Sequence, residues 1–478
     1  MLYYRNKFRN KYRKGGNFLP ENRNFKTTVR DMTDGTIWKQ LIFFALPLLA
    51  GNIFQQFYNT VDSVVVGNFV GADALGAVTS TMPIILTLIG LFIGLTMGAS
   101  IVISQYFGAK DIENLRKSTH TAVLSGVVLS LIISAIGYLI TPWLLKKMST
   151  PESVMREAVV YLKIYSLGLS GTMLYNMGAA ILRAVGDSKR PLYFLIISSV
   201  LNIILDLVFV VEFESGVAGV AYATIISQFV SGGIIFWILF NSNECHSLRF
   251  NEMKIDKQIL KRVITLGFPS GFQLALTSFS NVFVQAYINA YGAASTAGWG
   301  IYARVDAFIT LPTQSMAMAI TTFVGQNAGA RKPERIKKGL KTSLAISTGI
   351  SISIIAIIYL FTPYIVGLFN QDAQVLYYGV LFLRLNCPFD PLNVHNQVQA
   401  GALRGVGDTK TPMLIMLFSF VLFRQIYLFI ISRLTDSIYF IAIGYPVGWF
   451  VCCTLMYIHI YRSGWDKKIE MLNKRSMF

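Results

Sequence analysis

Four oxygen-bearing side chains stand in otherwise apolar stretches of this 478-residue chain: Asp62, Asn202, Asp206 and Thr224. A carboxylate inside a bilayer is costly to keep, so its presence there points to function. Two acids that meet away from water can share and exchange a proton. With an amide and a hydroxyl added, the same oxygens suit Na⁺, a hard cation that prefers oxygen ligands. Asn202 and Asp206 are four residues apart and share one helix face.

Composition sets the setting for this chemistry. The chain is 54% hydrophobic and 14% charged, against about 25% charged residues in a soluble domain. Apolar runs at 82–103, 122–140 and 343–361 exceed the roughly 18 residues that signal a bilayer span. The lipid bilayer is therefore a partner of the chain. The net charge of +18 gathers in loops and termini, the pattern of a membrane protein with basic cytoplasmic loops rather than of a nucleic-acid binder. Cys245, Cys387, Cys452 and Cys453 lack metal spacing, and the four histidines are scattered. No bound cofactor is expected. No Gly-x-x-x-x-Gly-Lys-Ser/Thr loop for ATP occurs.

The chain is a duplicated unit. Arg183-Ala-Val-Gly-Asp187 recurs as Arg404-Gly-Val-Gly-Asp408, an offset of 404 − 183 = 221 residues. The same offset pairs Gln105-x-x-Gly108-Ala109-Lys110 with Gln326-x-x-Gly329-Ala330-Arg331, and Tyr138-Leu-Ile-Thr-Pro142 with Tyr359-Leu-Phe-Thr-Pro363. Residues matched in this way serve the scaffold: Arg183/Arg404, Asp187/Asp408 and Lys163/Arg384.

The expected fold is all-α and polytopic, with twelve transmembrane helices in two six-helix bundles. The first bundle spans 37–241, with crossings at 37–67, 75–105, 118–141, 154–184, 191–212 and 217–241. A cytoplasmic linker covers 242–258. The second bundle spans 259–462, with crossings at 259–290, 296–327, 339–361, 374–405, 412–434 and 437–462. Basic loops alternate with nearly bare ones, which puts both termini in the cytoplasm. Six spans per half is even, so the repeats are parallel, related by an axis along the membrane normal. Residues 1–36 read as a basic, disordered and dispensable extension, with Met32 as a candidate start, and 463–478 as a basic tail. Pro47 and Pro269 are expected to bend the first span of each half.

A specialised site should appear where the repeat fails. Asp206 maps to Tyr427, Asn202 to Phe423, Thr224 to Tyr445 and Asp62 to the apolar Phe283-Val284. At 1.5 Å per residue Asp206 lies roughly 22 Å from the start of its span and Thr224 roughly 10 Å from the start of its own. In a core about 30 Å thick these depths agree. In the second half Arg304, Asp306, Asp390 and Arg424 are polar counterweights, suited to an intramembrane pair or a substrate contact. Tyr58, Met173, Met177 and Phe279 are candidates for an adaptable apolar cavity.

These residues carry a resemblance. The chain resembles a bacterial multidrug and toxic compound extrusion (MATE) transporter in Pro47 with Tyr58-Asn-Thr-Val-Asp62-x-x-x-Val66-Gly67, Gln105-Tyr-Phe-Gly-Ala-Lys110, Arg183-Ala-Val-Gly-Asp187, Asn202-Ile-Ile-Leu-Asp206 and Gly216-Val-Ala-Gly-Val-Ala-Tyr-Ala-Thr224, with the second-half copies. The match covers about residues 32–462. It implies two bundles around a cavity that alternates between membrane faces. It implies export of amphipathic, cationic small molecules in exchange for H⁺ or Na⁺. One branch of the family uses an aspartate of span 1 and Asn-x-x-x-Asp plus threonine of spans 5 and 6, matched by Asp62, Asn202, Asp206 and Thr224, which would also be the metal site under Na⁺ coupling. Another branch uses acids of spans 7 and 10, where this chain has Thr277 and Asn393; Asp390 is a turn away. The expectation is a monomeric antiporter of the bacterial inner membrane, not an enzyme. The alternative is a lipid-linked saccharide flippase of related architecture, which needs a basic central cavity; Arg304, Arg384 and Arg424 leave that open.

Overall fold

The computed structural model describes residues 30–148 and 150–462. The described chain is helical throughout, because a backbone in lipid must satisfy its own hydrogen bonds. The first half contains α1 (Ile37–Val65), α2 (Ala72–Gly108), α3 (Ile112–Lys147), α4 (Glu152–Ala184), α5 (Lys189–Leu207) and α6 (Gly216–Asn241). One π-helical turn extends α1 over Val66–Val70 and another extends α5 over Val208–Glu212. The second half opens with α7 (Lys257–Asn289), α8 (Ala293–Gly329) and α9 (Pro333–Gly367). Its tenth crossing divides into α10 (Ala373–Asn386) and α11 (Asp390–Gly405), the eleventh into α12 (Lys410–Leu417) and α13 (Arg424–Leu434), and the twelfth into α14 (Ile438–Ala442) and α15 (Gly444–Arg462).

Twelve crossings were expected, and twelve are present among the described residues. Nine are long and apolar enough by themselves to cross a membrane. The remaining three are α4, α7 and the α10–α11 pair. Several helices outrun their expected ends. α3 starts at Ile112 because the Asp111 carboxylate accepts the Asn114 backbone N–H at 3.1 Å, capping the helix. α1 and α7 run through Pro47 and Pro269 without a break. The break falls instead in the tenth crossing, where a 3₁₀ turn spans Cys387–Phe389. Pro388 and Pro391 each remove a helical N–H there. Asp390 therefore begins a helix.

The repeated motifs meet one another. Gln105 Nε2 donates to the Gly405 carbonyl, and Gln326 Nε2 to the Ala184 carbonyl, both at 3.0 Å. These bonds are related by the 221-residue offset at both ends. Beside them α2 and α8 touch backbone to backbone. A Cβ on Gly108 would stand 1.8 Å from the Gln326 carbonyl oxygen, and one on Gly329 1.9 Å from that of Gln105. The other motifs hold turns. Gly186 and Gly407 take φ of +88° and +91°, which favours glycine. Asp187 Oδ1 then accepts the N–H groups of Lys189 and Arg190, and Asp408 that of Thr411. Lys163 lies over the Tyr138 ring at 4.9 Å and Arg384 over Tyr359 at 5.5 Å, joining two matched pairs.

The first helix of each half crosses between the bundles. Leu41, Phe44, Ala45 and Leu48 of α1 share a core with Phe323, Ile336 and Val398 of the second half. In return Ile259 and Val263 of α7 lie in the first-half core. A second close seam joins α2 to α7, where a Cβ on Gly98 would stand 2.1 Å from the Val263 carbonyl oxygen.

Residues 30–36 were expected within a disordered extension; the structure docks them on the second half. Met32 is fully buried. Its N–H donates to Gln326 Oε1 at 2.9 Å, and Asn327 Nδ2 donates to its carbonyl at 3.1 Å. Lys332 pairs with Asp34 at 2.6 Å and holds its carboxyl below the usual range by hydrogen bonding and by charge. Residues 1–29 and 463–478 lie outside the described residues.

Two stability predictions follow from these contacts. Gly108→Ala should lower stability by about 2 kcal/mol or more, since backbone must move. Gly300→Ala, with nothing within 4 Å of its Cβ, should be neutral or slightly stabilising. Melting temperatures in detergent compare them. His246, wholly buried in the loop between the halves, is pushed down to about 4 by burial and then by the Arg190 guanidinium. Unfolded, it titrates near 6.5. The unfolded chain thus binds the extra proton between these values, so stability falls as pH drops from about 6.5 towards 4. The melting temperature should fall across that window, and His246→Gln should flatten the fall.

Candidate cation site and substrate cavity

α5 packs against both α1 and α6, and the broken-repeat residues lie along these contacts. Ser198 Oγ donates to the Ser227 carbonyl at 3.0 Å. That bond fixes the antiparallel register of α5 and α6 and carries Asn202, one turn on, to the level of Thr224. Thr224 Oγ1 donates to the Val220 carbonyl at 3.0 Å, leaving its lone pairs free to accept. Asp62 lies near the end of α1, where its carboxyl faces that of Asp206 at interaction distance. Asp206 is 0% and Asn202 2% exposed.

Few of these polar atoms are satisfied within the protein. Both oxygens of Asp206, both amide atoms of Asn202 and Oδ1 of Asp62 are buried without a hydrogen-bond partner. Each such atom costs on the order of 1–3 kcal/mol. Their donor set fits a shared proton, or a hard cation among carboxylate, amide and hydroxyl oxygens.

Three phenols surround the acids. Tyr58 sits one turn before Asp62, and Tyr161 and Tyr165 of α4 stack with ring centres 6.1 Å apart. All three are electrostatically coupled to Asp62, and Tyr58 and Tyr161 also to Asp206. Tyr58 therefore belongs with the acids as well as with the cavity. Tyr161 and Tyr165 escaped the sequence analysis, although their repeat positions, Phe382 and Asn386, lack the phenol.

The other expected cavity residues divide. Met173 and Met177 are each 1% exposed, and their Cε atoms stand over Gly126. They pack the first-half core, which corrects their assignment to the cavity. Phe279 is 58% exposed and meets Phe283 edge to face at 5.1 Å. Arg304 is exposed on α8. Asp306 makes no ion pair with it; the Asp306 carboxyl instead lies within electrostatic reach of Asp390, Tyr302 and Tyr445. Asp390 is 1% exposed and accepts Ser351 Oγ at 2.9 Å. Arg424 donates to Ser280 and Asn281 at 3.0 and 2.7 Å and lies over the Tyr445 ring.

A helical membrane protein of two repeated six-helix units, with acids buried between its helices, has the architecture of a transporter. The comparisons identify which kind. The family model described as MatE matches twice, at residues 47–208 and 269–430, and the chain belongs to this family, the MATE transporters. It is 30% identical over 443 residues to the probable multidrug resistance protein YoeA of Bacillus subtilis, covering 91% of this chain and 95% of that one. The probable multidrug resistance protein NorM of Thermotoga maritima is 27% identical over 396 residues, with 80% and 83% covered. A solved MATE transporter in an outward-facing conformation superposes with a TM-score of 0.87 at 23% identity, over 95% of this chain and 100% of that one. A transporter of the wider MOP superfamily from Pyrococcus furiosus gives the same values. The chain is a transporter, not an enzyme.

Asn202→Leu tests whether the orphaned amide serves function. Replacing an unsatisfied buried group by an apolar one should hold or raise the melting temperature. Transport should be lost in the same variant. A structural amide would lose stability as well.

Proposed function

We propose that the chain is a secondary active antiporter that exports amphipathic, cationic compounds in exchange for H⁺ or Na⁺ by alternating access. The observation that carries this is the meeting of Asp62 and Asp206 across α1 and α5, with Asn202 and Thr224 alongside and five orphaned polar atoms. A cation that binds there changes how α1 packs against α5. α1 also packs against α8, so the same helix touches both halves. Cation binding and substrate affinity are then linked, each altering the other by one common factor.

The basic face, with Lys110, Arg331 and the docked residues 30–36, is the cytoplasmic one on the excess of Lys and Arg in its loops. On that reading the ends of the described chain, Arg30 and Arg462, face the cytoplasm, and the membrane is the cytoplasmic membrane of a bacterium; the bacterial relatives support this. The Gln105–Gly405 and Gln326–Ala184 bonds join the two halves at that face. The exposed aromatic pair Phe279 and Phe283 suits an amphipathic guest, and the multidrug names of the relatives support a drug-like one. The flippase alternative gains nothing from the arginines, which do not converge: Arg384 covers Tyr359 and Arg424 is engaged by Ser280 and Asn281.

Ethidium efflux from pump-deficient cells tests this, with wild type and Asp206→Asn compared while the proton and sodium gradients are collapsed separately. Wild type should export, and the variant should lose at least about ten-fold, equivalent to 1.4 kcal/mol. The gradient whose loss stops efflux names the ion. Equal export by both proteins would remove Asp206 from the coupling step.

A further inference from the structure

Residues 30–36 form a strap that belongs to the repeat. The 221-residue offset carries Met32 to Met253, and Ile37, which opens α1, to Gln258 in the first turn of α7. Both segments lead into the first helix of their half, and both cross to the other half. Met32 is buried in the second-half core, and Met253 packs against the first-half core. The two copies differ in how they are held. Residues 251–257 are tied in place by the chain that joins α6 to α7. Residues 30–36 are held by side chains of the second half.

That hold is extensive. Arg335 donates to the carbonyls of Met32, Gly35 and Asp34 at 3.2, 2.8 and 2.8 Å. Lys332 donates to the Thr33 carbonyl at 2.9 Å and pairs with Asp34 at 2.6 Å. These anchors are not duplicated. At the offset Lys332 and Arg335 correspond to Asp111 and Asn114, and Asp34 corresponds to Ile255. The charged anchors therefore answer to something other than the common scaffold.

From this base the strap reaches the first half in three ways. The Arg30 backbone lies against Gly186, where an added Cβ would stand 2.0 Å from the Arg30 carbonyl oxygen. Thr33 and Asp34 line a cleft at the seam, with Lys110 and Asp111 on its first-half side. Lys332, then Arg335 and Lys110, hold the Asp34 carboxyl below its usual range. The third contact runs through Gln326, whose Oε1 accepts the Met32 N–H while its Nε2 donates to the Ala184 carbonyl. A side-chain amide has one accepting and one donating end. With Oε1 held by Met32, Nε2 is turned towards Ala184. Gln105, its counterpart, has its Oε1 held by the Arg262 guanidinium instead.

We propose that residues 30–36 are a clasp that stabilises the state in which the two halves meet at the basic face. The clasp is mounted on the second half by Lys332 and Arg335. It grips the first half at Gly186 and Lys110 and, by orienting Gln326, at Ala184. The inference rests on the alternating-access reading, because only a protein whose halves part at this face needs a grip there that can release. As they part, the strap travels with the second half and its first-half contacts break. Contacts made in one of two states bias the equilibrium towards that state. The Asp34 and Lys332 side chains are 77% and 39% exposed, so salt weakens part of the grip.

Spin labels at Lys117→Cys and Lys338→Cys test the clasp in the full chain, reconstituted in liposomes with the four native cysteines replaced by alanine. These exposed positions are matched by the offset and lie on α3 and α9, one in each half. Their separation reads the gap between the halves, measured where wild type populates both a short and a long distance. Lys332→Gln and Arg335→Gln should each raise the ratio of long to short at least about three-fold, the scale of one net hydrogen bond. Combined, they should raise it by less than the product of the two, because both act through one strap. Lys341→Gln, an exposed charge further along α9, should leave the ratio unchanged. An unchanged ratio in both clasp variants would overturn the clasp. An equal shift in Lys341→Gln would also overturn it, by assigning the effect to surface charge. If wild type keeps a single separation under every gradient and ethidium concentration, alternating access itself fails, an outcome distinct from an unchanged ratio in variants of a switching wild type.

Discussion

Everything in this molecule hangs on the crossing of α2 and α8. Two helices cross with backbone against backbone only where side chains are absent. Gly108 and Gly329 provide that at symmetric points, and Gln105 and Gln326 then reach across to carbonyls of the opposite half. The crossing joins the motifs that define the repeat, since Ala184 and Gly405 sit within the Arg-x-Val-Gly-Asp turns. It also receives the docked residues 30–36, because Gln326 Oε1 accepts the Met32 N–H. A hydrogen bond made twice by symmetry is made or lost at both places when the halves rotate. The crossing is therefore well suited to two discrete states, as the proposed alternating access requires.

The exchange of first helices between the bundles supplies a mechanical basis for the proposed coupling. The beginning of α1 belongs to the second-half core, through Phe44 and Leu48. Its far end carries Asp62 to the first-half acid on α5. One continuous helix therefore joins the Asp62 carboxyl to the opposite half. A change of charge at Asp62 alters how that end of the helix packs, and the other end is fixed to a different body. α7, its counterpart, has no acid in the equivalent turn, where Phe283 and Val284 stand. The two halves share a scaffold and differ in what they do with it.

The sequence revealed much of the fold and part of the site, for identifiable reasons. Apolar runs mark helices because lipid leaves the backbone no other solution. The repeat marks scaffold residues because both copies must solve the same packing problem. Asp62, Asn202, Asp206 and Thr224 stood out because polar residues in one copy only must answer to something other than the scaffold. Tyr161 and Tyr165 did not stand out, since a tyrosine in a membrane helix is unremarkable until its neighbours are known. Residues 30–36 read as part of a loose extension because they are short and polar; Gln326, Lys332 and Arg335, their partners, lie far along the chain. Met173 and Met177 misled, because an adaptable side chain fits a cavity and a core equally well.

The sequence alone determined the twelve crossings, the parallel duplication, the basic face and the set of polar residues that only the first half carries. Each is written in local composition or in the comparison of one copy with the other. Tertiary structure alone decided that Asp62 faces Asp206, that the repeated glutamines bind each other's turns, that α1 and α7 exchange bundles, and that residues 30–36 dock on the second half. These depend on which faces of separate helices meet, and on register along them. A helix that is apolar on most sides gives little indication in its own residues of which neighbour it will choose, because lipid and protein are nearly equivalent solvents for it.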